Sequence, residues 1–173
     1  REITVHEVSQ SESDFHARFD ARSREYHYFI HFRKDPFCEK YSYRMRHPLD
    51  IGKMNEAAAY LLGEHDFRCF EKTGGNNLTS VCTVTEAVWS TYRPTHIEMM
   101  GMDCGEGDYI VFRIKANRFL RNMVRAIVGS LIEVGRGKRS PEWIAELVAE
   151  GTRSDAGSSV PGNALFFSGA AYK

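Results

Sequence analysis

Paired cysteines, membrane-length apolar runs and an excess of charge of either sign are all missing from this chain. Its four cysteines, Cys38, Cys69, Cys82 and Cys104, form no C-x-x-C pair and have no histidine at zinc-like spacing. They read as buried or incidental thiols of a reducing compartment, and no metal is expected. No apolar run approaches the roughly 20 residues that a membrane-crossing helix needs. The first residues carry no secretory signal pattern, so the expected setting is cytoplasmic and away from membranes. The 23 basic and 23 acidic residues cancel. That balance argues against a simple basic nucleic-acid module but leaves room for a local basic cleft. A phosphate-binding glycine motif, a nucleophile elbow, an internal repeat and a low-complexity segment are also lacking.

What is present is the composition of a globular domain: 173 residues, 42% hydrophobic and 27% charged, enough for one sizeable core. The chain opens at Arg1 without a methionine, and Ile3, Val5 and Val8 already read as a strand. Residues 1–173 are therefore expected to be one domain of a longer polypeptide.

Charge is spread unevenly. Arg18, Arg22, Arg24, Arg33, Lys34, Arg44 and Arg46 crowd the first third, and the stretch 113–125 holds five cations and no acid. The stretch Ala116 to Gly137 organises the rest. Phe119, Met123, Ile127, Leu131 and Val134 recur at steps of three and four, which predicts a helix with one wide apolar face. Arg118, Arg121 and Arg125 share the other face near its start. Arginines at a helix start oppose the macrodipole, and Gly129 costs about 1 kcal/mol against Ala in a helix interior. Both features suit a helix that faces an anion; both equally suit a solvated cationic face with a packing glycine.

Elsewhere the pattern alternates. Phe15 to Ala21 and Tyr26 to His31 read as strands with arginine, histidine and aromatic side chains interleaved, separated by a turn or bulge at Ser23 to Glu25. Such a mixture offers phosphate contacts beside stacking platforms, or an amphipathic hairpin with its arginines in water. Tyr41 to Met45 reads as a short strand. Asp50 reads as the N-cap of a helix that buries Met54, Ala57, Ala58, Leu61 and Leu62. A Gly/Asn-rich loop follows at Glu71 to Leu78. Val81 to Arg93, His96 to Met102 and Tyr109 to Lys115 read as a meander, Pro141 opens a short helix through Trp143, Ile144, Leu147 and Val148, and Ala164 to Tyr172 is a last strand. Helices and strands are not evenly interspersed, so the fold class is α+β: a mixed, mostly antiparallel sheet flanked by helices. His65 with Asp66 reads as an acid–base pair or as a helix-end cap. From these residues alone, an RNA- or anion-binding domain and an enzyme are equally open.

Four stretches carry a more specific signal: FHARFDARSREYHY, PLDIGKMNEAAAYLLGEHDFRCF, IKANRFLRNMVRAIVGSLIEVGRGK and AGSSVPGNALFFSGAAY. In this order, over nearly the whole chain, they resemble the second half of TruA-type tRNA pseudouridine synthases. The resemblance implies the C-terminal domain of the pseudouridine synthase fold. It implies cofactor-free isomerisation of uridine to pseudouridine in the tRNA anticodon stem-loop, by a homodimer in which one tRNA contacts both subunits. The family's catalytic aspartate belongs to a part that this chain does not contain. RSDAG at 153–157 looks like that motif but aligns with a late segment that needs no acid, so Asp155 is not assigned as catalytic.

By the same resemblance, Tyr26 matches the tyrosine that stacks on the target uracil and takes the C5 proton. Arg125 matches the arginine that pairs with the catalytic aspartate. Phe15, His16, Ala17, Arg18 and Phe19 match a tRNA-contacting segment, as do Lys34 and the loop Gly74, Gly75, Asn76, Asn77 and Leu78. Arg118 and Arg121 are expected to meet tRNA phosphate. The alternative reading is a non-catalytic RNA-binding or assembly module of the same fold.

Overall fold

The computed structural model describes residues 3–72, 74 and 78–172. The element order is β1 (Ser23–His31), β2 (Tyr43–Arg44), α1 (Ile51–Ala59), β3 (Gly63–Asp66), β4 (Val81–Thr91), α2 (Thr95–Met99), β5 (Tyr109–Ala116), α3 (Met123–Gly135), α4 (Trp143–Glu150) and β6 (Leu165–Ala171), with 3₁₀ turns at Arg68–Phe70 and Gly162–Ala164. The sheet runs β2-β1-β5-β4-β3, and β6 pairs with β1 alongside β2. Only the short β1/β2 pair is parallel among the described strands. The expected α+β class with a mixed, mostly antiparallel sheet therefore holds.

Alternation makes the core. Tyr28 and Ile30 of β1, and Ile110, Phe112, Ile114 and Ala116 of β5, are fully buried on one face. On β4 the buried positions switch from Cys82 and Val84 to Trp89. The switch follows a bulge at Thr85, where the register with β5 jumps from Val84 to Glu86. α1, α3 and α4 close this face with Met54, Ala57, Ala58, Ile127, Leu131, Ile144 and Leu147. Asp50 caps α1 as expected, accepting the Lys53 N–H at 3.0 Å. α3 ends in a Schellman motif: Lys138 N–H bonds Glu133 C=O and Gly137 N–H bonds Val134 C=O, with Gly137 at φ 71°.

Several expectations fail, each for a local reason. Ile3 to Val8 forms no strand and lies exposed. Phe15 to Ala21 is a pair of turns, because His16 C=O captures the N–H groups of Phe19 and Asp20. Ser23 to Glu25 is no turn but part of β1, and of the two expectations there it is the bulge that fits, as a register shift against β6 at Glu25/Tyr26. Leu62 is exposed, since α1 stops at Ala59. Gly63–Asp66 is a strand that the period did not announce. His96 to Met102 is not a strand: Pro94 starts the short helix α2 there. α3 begins at Met123, not near Arg118, and it is buried on nearly every side. Arg118 and Arg121 thus precede the helix and share no helical stripe with Arg125.

Candidate nucleic-acid interface and active site

Tyr26 sits on β1 two residues before Tyr28, about 7 Å away along the same face. It is half-buried at the rim of the core, edge-on to Phe119 (5.0 Å) and Phe167 (5.4 Å). Its hydroxyl makes no hydrogen bond to a described residue. Tyr28 is tied down instead: its hydroxyl donates to Pro161 C=O at 2.8 Å. Burial raises the Tyr28 pKa beyond the ordinary tyrosine range, and Tyr43 adds to the rise while Arg125 opposes it.

Arg125 lies in the first turn of α3. Its Nε donates to Val160 C=O at 2.6 Å, and its own carbonyl accepts Val160 N–H at 3.2 Å. The terminal nitrogens bond nothing among the described residues, and no described carboxylate pairs with it. Glu133 is engaged by Arg136 and Lys138. Asp155 accepts from the Thr152 N–H and hydroxyl, which hold its carboxyl below the usual range and make it a loop brace.

What brings the 152–160 loop to Arg125 is a crossing of glycines. A Cβ on Gly129 would lie 1.9 Å from Ser158 O, and one on Gly157 would lie 2.8 Å from Ser130 N. Gly157 N–H also donates to Ser130 Oγ at 2.9 Å. Gly129 is therefore the packing glycine; backbone approaches it, not an anion.

Two depressions flank this region. The larger, about 650 Å³, is lined by Arg18, Phe19, Ala21, Arg22, Arg24, Leu78, Asn117, Arg118 and Phe119. Arg18, Phe19, Leu78 and Arg118, far apart in sequence, thus meet in one basic and aromatic cleft. The second, about 340 Å³, is lined by Lys72, Asn122, Arg125, Arg153 and Ser159. The connection 117–122 joins them, with Phe119 against Tyr26.

The rest of the expected contacts are placed differently. His16 works inside its own turn, where its Nδ1 accepts from the Arg18 and Phe19 N–H groups. Phe15 packs on Tyr172 at 5.1 Å, and Ala17 C=O accepts from the Tyr172 hydroxyl at 2.9 Å. Arg121 is exposed and lends its carbonyl to Lys72 N–H. Lys34 follows the far end of β1, beside the Arg33–Asp108 pair, and does not join either cleft. Gly74 is described, with φ 82°; Gly75, Asn76 and Asn77 lie outside the described residues. His65 and Asp66 are no acid–base pair: His65 Nε2 bonds Leu62 C=O, and Asp66 binds Arg68.

Sequence reading missed Lys72, Arg153 and Ser159 as lining residues. Arg153 stands in RSDAG beside a more conspicuous acid, and nothing local marks Lys72 or Ser159.

The model of a family described as tRNA pseudouridine synthase matches residues 57–173. A tRNA pseudouridine synthase A of Bacteroides fragilis is 44% identical over 167 residues, covering 96% of this chain and 61% of the relative. Its counterpart in Bacteroides thetaiotaomicron is 45% identical over 95% of this chain and 57% of the relative. That of Porphyromonas gingivalis is 41% identical over 99% and 64%. The chain belongs to the tRNA pseudouridine synthase family, and it spans about three fifths of the length of these relatives.

Proposed function

We propose that this chain is the C-terminal, tRNA-binding and active-site-completing domain of an enzyme that converts uridine to pseudouridine in the tRNA anticodon stem-loop. In that reaction the N1–C1′ bond breaks, the uracil turns, and a C5–C1′ bond forms. C5 loses a proton and N1 gains one, so no cofactor is needed. The nucleophilic aspartate comes from outside this chain. The observation that carries the reading is the state of Arg125: anchored through Nε, with both terminal nitrogens unbonded among the described residues. A guanidinium held this way presents a fork to a carboxylate arriving from another segment.

Tyr26 suits a flipped uracil, since its half-buried ring stands at the rim of the core with a hydroxyl that bonds nothing among the described residues. The ring stacks on the base, and the hydroxyl takes the C5 proton. The cleft of Arg18, Phe19, Leu78 and Arg118 contacts the RNA backbone, which positions the stem-loop without reading its sequence. The enzyme works as a homodimer in the cytoplasm, with one tRNA touching both subunits.

The test is tritium release from C5-tritiated uridine in tRNA by the full-length protein. Release is expected from the wild type. Tyr26→Phe is expected to keep tRNA affinity and lose turnover by about 100-fold, the scale of a positioned general base; unchanged turnover would leave Tyr26 only stacking. Arg125→Lys is expected to lower turnover more than affinity, because an ammonium forms no fork. An affinity loss alone would make Arg125 a phosphate ligand. A full-length protein that binds tRNA without release would favour a non-catalytic RNA-binding module.

A further inference from the structure

The smaller cleft holds more than Arg125. Its lining is Lys72, Asn122, Arg125, Arg153 and Ser159: three cations, one amide, one hydroxyl and no acid. Ser159 Oγ accepts from Asn122 Nδ2 at 2.6 Å and from Arg153 Nη2 at 2.9 Å. With its acceptor sites filled, that hydroxyl can only donate onward. Asn122 stands at the N-cap of the 13-residue helix α3 in the left-handed conformation, φ 67°, and it is the one described non-glycine residue with positive φ. Its side chain goes to Ser159 and not to the helix N–H groups, so the start of α3 has no side-chain cap and no acid in its first turn. Lys72 is fixed by its backbone N–H on Arg121 C=O at 3.0 Å, while its ammonium pairs with nothing described. Of the nearby acids, Glu71 accepts from Ser80 and Asp155 from Thr152.

We propose that this cleft is a phosphodiester subsite, in which Lys72, Ser159, Arg153 and the start of α3 hold one backbone phosphate of the bound RNA beside the extruded nucleotide. The inference rests on the reading that Arg125 and Tyr26 face that nucleotide. A tetrahedral oxyanion suits a set of donors with no carboxylate among them, and helix N-termini favour it further. Swinging a nucleotide out of its stack rotates the backbone around it. A second basic pocket next to the base pocket fixes that rotated backbone. The division of labour follows from chemistry: the planar fork of Arg125 takes a carboxylate, and the point charge of Lys72 takes a phosphate.

The test uses the full-length protein and anticodon stem-loop RNAs that carry a single neutral methylphosphonate at each phosphate around the target uridine in turn. In the wild type, one position is expected to weaken binding about tenfold. With Lys72→Gln, unmodified RNA should bind about tenfold more weakly, with a salt slope reduced by about 0.7 to 1. The sensitive methylphosphonate should then cause no further loss. Ser159→Ala, which keeps all charges, should weaken binding several-fold at the same position. Wild-type affinity and salt slope in Lys72→Gln, or additive losses at every phosphate, would overturn the subsite. Coupling without tritium release would sink the isomerase reading and leave the subsite standing; release without coupling would do the reverse.

Discussion

Asp35 is a nearly fully buried carboxylate with three hydrogen-bond partners. Tyr109 and His96 donate to Oδ2 at 2.7 and 2.8 Å, and Phe37 N–H to Oδ1 at 3.0 Å, with the Cys38 thiol close by. Burial pushes this carboxyl up, but the hydrogen bonds outweigh burial and bring it from 3.8 down to about 2. His31, buried on the same side, is driven below its ordinary 6.5 by burial, which Glu39 and Asp35 partly oppose. In both cases the unfolded chain binds the proton first, so stability falls as pH falls. His31 contributes to the fall below about 6.5, and Asp35 between about 4 and 2. Urea unfolding across this range should show both limbs. Asp35→Asn should cost roughly 2 kcal/mol near neutrality and flatten the lower limb alone. A lower limb unaltered by that substitution would mean that another carboxylate controls it.

At the scale of elements, the crossing of α3 with the 152–160 loop decides whether a site exists. Gly129→Ala would gain helix propensity worth about 1 kcal/mol. The new Cβ would nonetheless meet a backbone oxygen 1.9 Å away, and no side-chain rotation relieves that. The expected net loss is about 2–3 kcal/mol, by thermal unfolding. Gly135→Ala should cost less, because there the Cβ meets the flexible Met54 side chain. Equal melting temperatures for the two variants would show that the loop lifts freely from α3. Since that loop carries Arg153, Ser159 and Val160, Gly129→Ala should also blunt Arg125 function while leaving the cleft of Arg18 and Arg118 in place.

At the scale of the molecule, a chain of zero net charge still gathers Arg18, Arg22, Arg24 and Arg118 around one cleft and Lys72, Arg125 and Arg153 around another. Not every arginine there is available to a ligand. Arg24 is a staple: its guanidinium donates to the carbonyls of Ala21 and Asn117, both at 2.6 Å, and to that of Arg18. It holds the 15–20 turns against the β5–α3 connection. Arg18 points its guanidinium over the Phe19 ring at 5.7 Å and lines the cleft. Arg18→Glu should therefore weaken tRNA binding and lower the salt slope by about 0.7 or more. A slope equal to the wild type would remove Arg18 from the contacts.

Much of this was legible in the residues. Period-two runs marked β1 and β5, because a buried face favours alternation, and apolar content marked β4 and β6. Asp50 marked the cap of α1 and Pro141 the approach to α4, since each acts on the backbone beside it. The motifs that carry the family resemblance pointed to Tyr26 and Arg125. Most misreadings have local causes, such as Pro94 starting α2, but two depend also on partners distant in sequence. The 15–21 stretch alternates like a strand, but no neighbouring strand is there to pair with it, so local turns win. Arg118 and Arg121 have helical spacing from Arg125, yet Asn122 breaks the helix before them by turning left-handed toward Ser159, 37 residues on.

By itself, then, the sequence determined the α+β class, the alternating core faces and the Asp50 cap of α1, because periodicity and capping are local, while Tyr26 and Arg125 were singled out by the family resemblance alone. Only the tertiary structure decided which cations meet. It gathered Arg18, Leu78 and Arg118 into one cleft, and Lys72, Arg125 and Arg153 into another. It also explained Gly129 by a backbone that crosses it from residues 157 and 158. Side chains from separate loops converge only once the sheet and α3 are packed, and no spacing along the chain encodes that convergence.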